Sequence, residues 1–177
     1  NNPSEDFDNF EDSQKLLKKE SLKLSMELIK KDLKKLGIEH DNFFSEADLV
    51  EKKLVDKAVN ILKKNDYVHE GFLEAPKGEK DKNWKKIKRL IFKSTLFGDD
   101  TDRAMQKNDG TWTYFASDVA YHMDKVQRKY EYLINVLGAD HTGYVKRITA
   151  AVSALSKNKV KLNCKVCQLV KLYKDGR

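Results

Sequence analysis

The sequence Tyr132-Leu-Ile-Asn-Val-Leu-Gly-Ala-Asp-His-Thr-Gly-Tyr144 decides the fold of this chain. Its first six residues form a compact apolar run of strand length. Apolar residues then recur at helical spacing, and a second strand is expected within residues 160–172. A strand, a crossover helix and a second strand predict a parallel pair with a right-handed connection. The predicted class is therefore α/β, with a partial doubly wound parallel sheet.

The chain before this region predicts helices and a hairpin. Apolar residues at alternating steps of four and three predict a helix over residues 13–36. Ser45, followed by Asp48 three residues later, resembles a capping box and predicts a second helix that ends near Asn65. Short β-favouring pieces within residues 67–112 flank a polar stretch, which predicts a hairpin with a long loop.

An amphipathic helix is expected directly after Trp112, because apolar residues recur there at helical spacing. These residues are Phe115, Val119, Met123 and Val126. The chain is thus expected to divide into a helical segment at 1–44, an inserted helix plus β-hairpin at 45–112, and the half-sheet at 113–177.

Composition excludes several classes of protein. Hydrophobic residues make up 40% of the 177, and no run approaches the roughly 18 apolar residues that a membrane helix needs. We therefore expect a water-soluble chain without a membrane partner. The first residues show no basic stem followed by an apolar core, so no export signal is expected. Only two cysteines are present, and they suggest no disulfide framework; a cytoplasmic location follows.

The charge of the chain is strongly positive, with a formal net charge of +7. A polyanion such as RNA is a plausible partner, because binding to phosphates releases counterions. Positive charge is most concentrated in residues Lys77 to Lys93, which hold eight basic side chains against two acids. This segment predicts either a contact with an RNA backbone or a solvated loop, and the solvated loop is the favoured reading.

The first candidate site lies on the helix after Trp112. Tyr114, Asp118 and His122 are four residues apart and therefore share one helical face. A carboxylate near a phenol can clamp a cationic group, and a planar guanidinium would suit both carboxylate oxygens. The alternative is that these are ordinary surface residues of a helix.

The second candidate site lies where the apolar strand stops. Ligands of open parallel sheets bind beyond the carboxyl ends of the strands. Gly138 and Gly143 allow a ligand to approach the backbone there, and Asp140 and His141 offer polar side chains. The glycine spacing is not the Gly-x-Gly-x-x-Gly dinucleotide signature, so a nicotinamide enzyme is not supported.

Cys164 and Cys167 form a Cys-x-x-Cys pair, which invites a zinc or redox reading. A structural zinc site needs four ligands, and no second pair of suitable spacing follows in the sequence. The favoured reading is that both cysteines are small apolar residues on or beside a core strand, so no metal site is predicted.

Taken in order, the two candidate sites resemble the arginyl-tRNA synthetases of bacteria, a family of class I aminoacyl-tRNA synthetases. The stretch Thr113-Tyr-Phe-Ala-Ser-Asp-Val-Ala-Tyr-His122 is similar to that family's Thr-Tyr-x-x-x-Asp-x-Ala-Tyr-His segment. Leu137-Gly-Ala-Asp-His-Thr-Gly-Tyr144 is similar to its Trp-Gly-Ala-Asp-His-His-Gly-Tyr segment. Short motifs on either side of these two stretches occur in the same order as in that family, and the resemblance covers roughly residues 31–176.

The resemblance implies roles for six residues. Tyr114, Asp118 and His141 would bind arginine, with Asp118 facing the guanidinium. ATP, accompanied by Mg²⁺, would lie against Gly138, Asp140 and Gln168, and no tightly bound cofactor is expected. Leu137 and Thr142 depart from the family's Trp and second His, so a role of that second imidazole does not transfer.

The resemblance also implies a larger enzyme. The chain would be an internal part of the catalytic domain, holding the second half of the class I nucleotide-binding fold. The enzyme would join arginine to ATP and then to tRNA(Arg), as a monomer. The family's His-Ile-Gly-His and Lys-Met-Ser-Lys signatures are not among the 177 residues, so no catalytic residue is assigned within them. They are expected before Asn1 and after Arg177, which would leave the segment inactive alone.

Two other functions remain open from the sequence. A basic RNA-binding module without catalysis would use Lys77 to Lys93, but it gives no reason for Tyr114, Asp118 and His141 to converge on one crevice. A different adenylating enzyme of the same fold would bind another amino acid.

Overall fold

The computed structural model describes residues 10–73, 87–171 and 173–174. The chain forms two compact units, Asn1–Phe44 and Ser45–Arg177. Among the described helices, none combines the length and the apolar character needed to cross a membrane.

The first unit contains one long helix, α1, at Phe10–Lys35. Acidic residues occupy its first turn and basic residues its last, which complements the partial charges of the helix ends. Gly37 adopts a positive φ of 73° beyond the helix, and the amide of Ile38 donates back to the carbonyl of Leu33 at 2.9 Å. The helix predicted over residues 13–36 is confirmed.

The second unit begins with two short helices, α2 at Glu46–Glu51 and α3 at Leu54–Lys64. The prediction of one continuous helix is wrong, because Lys53 adopts a left-handed conformation with φ 50°. Leu49 and Val55 are both buried. In an unbroken helix these two residues would lie on different faces, so the break lets both reach the core.

The predicted capping box at Ser45 is also wrong. Ser45 occupies the N-cap position of α2, but its side chain makes no capping hydrogen bond. Its backbone carbonyl instead accepts from the amide of Asp48 at 3.2 Å. The Asp48 carboxylate is held by the ammonium of Lys52 at 2.7 Å, so it does not reach back to Ser45.

An antiparallel sheet of three strands follows, in the order β1-β2-β3. The strands are β1 at Val68–Gly71, β2 at Arg89–Phe92 and β3 at Arg103–Ala104. Val68 lies opposite Phe92, and Gly71 lies opposite Arg89. The predicted hairpin is confirmed in its two strands, β1 and β2, and its predicted long loop lies largely outside the described residues. The two-residue β3 was not predicted, because so short a segment carries no periodicity.

The connection from β2 to β3 is tied by a buried carboxylate. A 3-10 helix spans Ser94–Phe97, and the side chain of Asp99 behind it is fully buried. The Arg103 guanidinium donates to both Asp99 oxygens, each at 2.7 Å. Burial alone would raise the pKa of Asp99, but hydrogen bonds from Arg103, the Asp100 amide and the Ser94 hydroxyl outweigh it, so that pKa lies below its ordinary value.

The remainder of the chain forms the predicted strand, helix and strand. Helix α4 spans Tyr114–Gln127, and β4 spans Tyr132–Gly138. A 3-10 helix at Ala139–Tyr144 leads into α5 at Val145–Ser156, and β5 follows at Lys161–Cys167. β4 and β5 pair in parallel. The α/β class is confirmed with these two small sheets.

The core lies on one side of the parallel pair. Along β4, Leu133 and Asn135 are buried, whereas the alternate residues are about two-thirds exposed, as Ile134 is at 66%. The core of the second unit includes the following residues: Leu62, Phe92, Met105, Val119, Ile148 and Val152. Some polar side chains of α4 and β4, among them Asp118 and Asn135, border a cleft beside this core.

Candidate functional site

An open cleft of about 290 Å³ lies where α4 faces the end of β4 and the 3-10 helix that follows it. Polar side chains form much of its lining. The lining residues are Asp118, Tyr121, His122, Lys125, Asn135, Val136, Leu137, His141, Tyr144 and Ile148. The cleft thus joins the two stretches of sequence that were singled out as candidate sites.

The central carboxylate of the cleft is that of Asp118, which is half-buried on α4. The hydroxyl of Tyr144 donates a hydrogen bond to Asp118 Oδ2 across the cleft. Burial raises the pKa of Tyr144 well above its ordinary value, and the hydrogen bond to Asp118 raises it further. The phenol therefore stays protonated and remains a donor. Because it is fixed at one oxygen, Asp118 presents a negative charge in a set orientation.

Aromatic and cationic contacts hold Tyr144 in place. Its ring packs edge-on against Phe115, with centroids 6.3 Å apart, and against His141 at 6.4 Å. The guanidinium carbon of Arg147 lies 5.1 Å from the ring centroid. Such contacts are typical of favourable aromatic and cation-π geometry.

A second set of hydrogen bonds lies beside Asp118. His122 is only 5% exposed, and its Nδ1 lies 2.8 Å from the backbone carbonyl oxygen of Asp118. Its Nε2 lies 2.8 Å from Asn135 Nδ2. The ammonium of Lys125 lies 2.9 Å from Asn135 Oδ1. Burial lowers the pKa of His122, and the nearby charge of Lys125 lowers it further.

The structure brings two of the three predicted arginine-binding residues together. Asp118 and His141 both line the cleft. Tyr114 does not line it: as the first residue of α4, it is 81% exposed, one turn before Asp118. The ammonium of Lys107 lies 5.5 Å from its ring centroid. The shared face of Tyr114, Asp118 and His122 thus runs from solvent into the core.

The three residues predicted to bind ATP lie at or just beyond the carboxyl ends of the two parallel strands. Gly138 ends β4 and is paired with Cys167, the last residue of β5, so Gln168 directly follows that strand. Asp140 is exposed in the adjoining 3-10 helix. A Cβ atom at Gly138 would come within 2.5 Å of Asp140 Oδ1, so a larger residue there would displace that side chain.

The two departures from the family pattern differ in position. Leu137 lines the cleft, whereas Thr142 is exposed and donates through its hydroxyl to the Ala139 carbonyl at 2.6 Å. Leu137 therefore contributes to the shape of the cleft, whereas Thr142 makes a hydrogen bond within the 3-10 helix.

Sequence reasoning missed several residues of the cleft. Tyr144 closes the quoted motif and sits opposite Asp118, but the motif alone did not assign it a partner. Lys125 lies seven residues after Asp118, hence on the same helical face. Asn135 is a polar residue within an apolar strand, which is itself a signal. The missed lining residues with polar groups are Tyr121, Lys125, Asn135 and Tyr144, whereas His122 had been placed on the candidate helical face without a role.

The Cys-x-x-Cys pair does not form a joint site. Cys164 is half-buried and Cys167 is exposed, since residues three apart in a strand point to opposite faces. Within residues 10–73, 87–171 and 173–174, no group of three or more His, Cys, Asp or Glu side chains could hold a metal ion. Burial raises the pKa of Cys164.

The basic segment Lys77 to Lys93 is only partly described, because residues 77–86 lie outside the described ranges. Two of its remaining lysines pair with acids. Lys88 lies 2.6 Å from Glu70, and Lys93 lies 3.0 Å from Asp66. These charges are therefore partly neutralised within the chain.

Comparison with known proteins gives a consistent result. No protein-family model matches the chain. It is 57% identical to the arginine-tRNA ligase of Pelagibacter ubique over 171 residues, which are 97% of this chain and 30% of the ligase. It is 50% identical to the arginine-tRNA ligase of Ehrlichia chaffeensis over 162 residues, 92% of this chain and 28% of the ligase. The chain thus spans about 30% of the length of these relatives.

Solved structures agree with the sequence relatives. A crystal structure assigned to an arginyl-tRNA synthetase of Campylobacter jejuni superposes with a TM-score of 0.67 and 31% identity, covering 85% of this chain and 30% of that one. Arginyl-tRNA synthetase of Plasmodium falciparum shares the fold, with a TM-score of 0.64 and 18% identity over 89% of this chain and 26% of its own. Over the segment that it spans, the chain belongs to the arginine-tRNA ligase family.

Proposed function

We propose that this chain is the part of an arginine-tRNA ligase that binds the amino acid and the adenosine of ATP. In the whole enzyme, arginine reacts with ATP to give arginyl-adenylate and pyrophosphate, and the arginyl group then passes to the terminal adenosine of tRNA(Arg). The similarity to arginine-tRNA ligases from several bacteria supports this proposal. Such catalysis rests on positioning and electrostatics and needs no covalent enzyme intermediate.

The single observation that carries the proposal is the carboxylate of Asp118 in its cleft. It is half-buried, and Tyr144 holds one of its oxygens. A guanidinium can donate to a carboxylate through two parallel N–H groups, whereas an ammonium offers a single point of charge. A partly desolvated and oriented carboxylate therefore favours arginine among the cationic amino acids. In this proposal His141 borders the same substrate, and Tyr114, one turn before Asp118 on α4, contacts it from outside the cleft.

The nucleotide lies at the carboxyl end of β4 and β5 in this proposal. Gly138 permits close approach to the backbone, Asp140 meets polar groups of the adenosine, and Gln168 is a further contact. Mg²⁺ accompanies ATP as part of the substrate. The parallel pair is then the second half of a doubly wound nucleotide-binding fold, within residues 113–177. Residues 45–112 are an insertion, and residues 1–44 are a helical segment of the catalytic core.

Further groups complete the active site in the whole enzyme. Charge on the transferring phosphates needs preorganised donors, which the family supplies from its His-Ile-Gly-His and Lys-Met-Ser-Lys elements. Neither element is among the 177 residues, and we propose that other parts of a longer chain carry them. The enzyme acts in the cytoplasm as a monomer with tRNA(Arg) as its partner. A basic module without catalysis is disfavoured, because the relatives are ligases.

The test replaces Asp118 by asparagine in the full-length ligase and measures aminoacylation of tRNA(Arg). Asn keeps the shape and a hydrogen-bond acceptor for Tyr144 but removes the charge. The arginine KM should rise about 30-fold to 140-fold, because a lost partner in a partly buried charge pair costs about 2–3 kcal/mol. The ATP KM should change by less than about twofold, since the charge does not act on the nucleotide.

Asp124→Asn is the matched control for this experiment. Asp124 lies on the same helix, and its carboxylate is 2.5 Å from Arg128 Nη2 rather than in the cleft. It should leave both KM values near those of the wild type. Equal increases in the KM of arginine and of ATP in Asp118→Asn would show that the carboxylate supports the fold of the site and does not select the amino acid.

A further inference from the structure

The hydrogen bonds beside Asp118 have a direction that chemistry imposes. The ammonium of Lys125 can only donate, so the amide oxygen of Asn135 must face it, as the 2.9 Å distance to Oδ1 shows. The amide NH₂ of Asn135 then faces His122. At 2.8 Å it donates to Nε2, which must be an unprotonated acceptor.

The other ring nitrogen of His122 completes the assignment. Nδ1 lies 2.8 Å from the backbone carbonyl of Asp118, which can only accept. Nδ1 therefore carries the proton, and His122 is neutral. If Nε2 were protonated as well, it would need a hydrogen-bond acceptor where the NH₂ group of Asn135 now lies. Asn135 could provide one only by turning its NH₂ toward the ammonium of Lys125, where two donors would meet.

The surroundings of His122 favour the same state. The ring is 5% exposed, so a charge on it would be poorly solvated. Charged and titratable groups face it or its partner Lys125 from each adjoining element. They are Asp118, Tyr121, Asp124, Lys125 and Arg128 on α4, His141 and Tyr144 on the 3-10 helix, and Cys164 on β5.

We propose that Lys125 is a positioning residue which, by orienting the amide of Asn135, holds His122 in its neutral form. A neutral His122 adds no positive charge beside Asp118. An imidazolium beside Asp118 would offset that potential and weaken the binding of any cationic group in the cleft. Lys125 thus prevents a second positive charge from forming beside Asp118.

This inference rests on the proposed function for its effect on arginine, but its structural part stands apart from it. The state of His122 is a property of the protein without substrate. It can therefore be measured separately, and the two claims fail in different ways.

The kinetic test compares Lys125→Met with the wild type in the full-length ligase between pH 8 and pH 6. Methionine fills the space of the lysine stem but frees Asn135 to turn, so His122 can take up a second proton as the pH falls. The arginine KM of the variant should rise about fivefold to tenfold over this range relative to the wild type. The ATP KM should follow the wild-type profile.

Two further variants serve as controls. Lys129→Met removes an exposed charge just beyond α4 and should keep the wild-type pH profile. Lys125→Arg retains a residue that only donates, so it should restore a profile close to that of the wild type. A Lys125→Met enzyme whose arginine KM is raised equally at every pH would overturn the proposal, because that pattern indicates direct contact of Lys125 with the substrate. An unchanged profile would overturn it as well.

The structural test is nitrogen NMR of the ring of His122 in the ¹⁵N-histidine-labelled ligase, with its signals identified by their loss in His122→Gln. The wild type should show the neutral Nδ1–H tautomer down to pH 6. Asn135→Asp replaces the amide by a group that only accepts, so its His122 should be doubly protonated at pH 7. A protonated His122 in the wild type, or a neutral one in Asn135→Asp, would overturn the proposal even if Lys125→Met does not fold.

Discussion

The hydroxyl of Tyr144 gives the sharpest prediction about the cleft, because one atom separates tyrosine from phenylalanine. In Tyr144→Phe the ring keeps its contacts with Phe115 and His141, but Asp118 loses the hydrogen bond that orients it. We expect the carboxylate to rotate away from its set orientation in a fraction of molecules. Arginine should then bind more weakly without loss of the fold.

The magnitude follows from the charge on the acceptor. A hydrogen bond to a charged group contributes about 1.5–3 kcal/mol, and the lower figure applies to this half-buried carboxylate. That corresponds to an arginine KM higher by about tenfold. The assay is aminoacylation of tRNA(Arg) by the full-length ligase at varied arginine and at varied ATP, and the ATP KM should stay within about twofold.

Tyr130→Phe is the matched control, because Tyr130 is 62% exposed and lies just after α4, away from the cleft. It should behave as the wild type. The reasoning is refuted if Tyr144→Phe leaves the arginine KM unchanged, or if it raises the KM of ATP as much as that of arginine.

Two further predictions concern the fold around the site. Asp99→Asn should lower the free energy of unfolding by about 2 kcal/mol in urea denaturation, since it breaks a buried carboxylate-guanidinium pair, whereas Asp100→Asn at an exposed pair should cost less than about 0.5 kcal/mol. The pKa of Asp99 is lowered on folding, so the contribution of Asp99 to stability is present above the ordinary value of 3.8 and is lost as the pH falls below it. The stabilities of the wild type and of Asp99→Asn should therefore converge below about pH 4. A constant difference between them down to about pH 2 would contradict this. Cys167 should react with a thiol reagent at pH 8 at least about tenfold faster than Cys164, because the latter is half-buried and its pKa is raised by burial. Rates measured in Cys164→Ser and Cys167→Ser test this, and equal rates would contradict the placement of the two thiols on opposite strand faces.

Much of the fold could be predicted from periodicity. The run at Tyr132 and the helical spacing after it predict the parallel pair, which the structure confirms. The break at Lys53 could not be predicted, because a left-handed lysine leaves no compositional signal, unlike glycine. What drives it is tertiary: Leu49 and Val55 both reach the core only if the helix is interrupted.

Spacing within a single helix or strand predicted part of the candidate site. Spacing on α4 identified Asp118, and the strand end identified His141, because both positions follow from the geometry of one element. The partners of Asp118 come from elsewhere in the chain. Tyr144, which bonds to the Asp118 carboxylate, lies 26 residues beyond it, and Asn135, which bonds to His122 and Lys125, lies on β4. Tyr114 shares the spacing of Asp118 but stands at the exposed start of the helix, where periodicity carries no information about depth.

Competition by citrulline shows whether the charge of Asp118 selects arginine. Citrulline has nearly the shape of arginine but carries no charge on its side chain. In the full-length wild-type ligase, citrulline should inhibit charging of tRNA(Arg) with arginine only at concentrations about a hundredfold or more above the arginine KM. In Asp118→Asn that preference should fall to within about tenfold. An unchanged preference for arginine over citrulline in Asp118→Asn would contradict the account and move the recognition of the guanidinium to another residue.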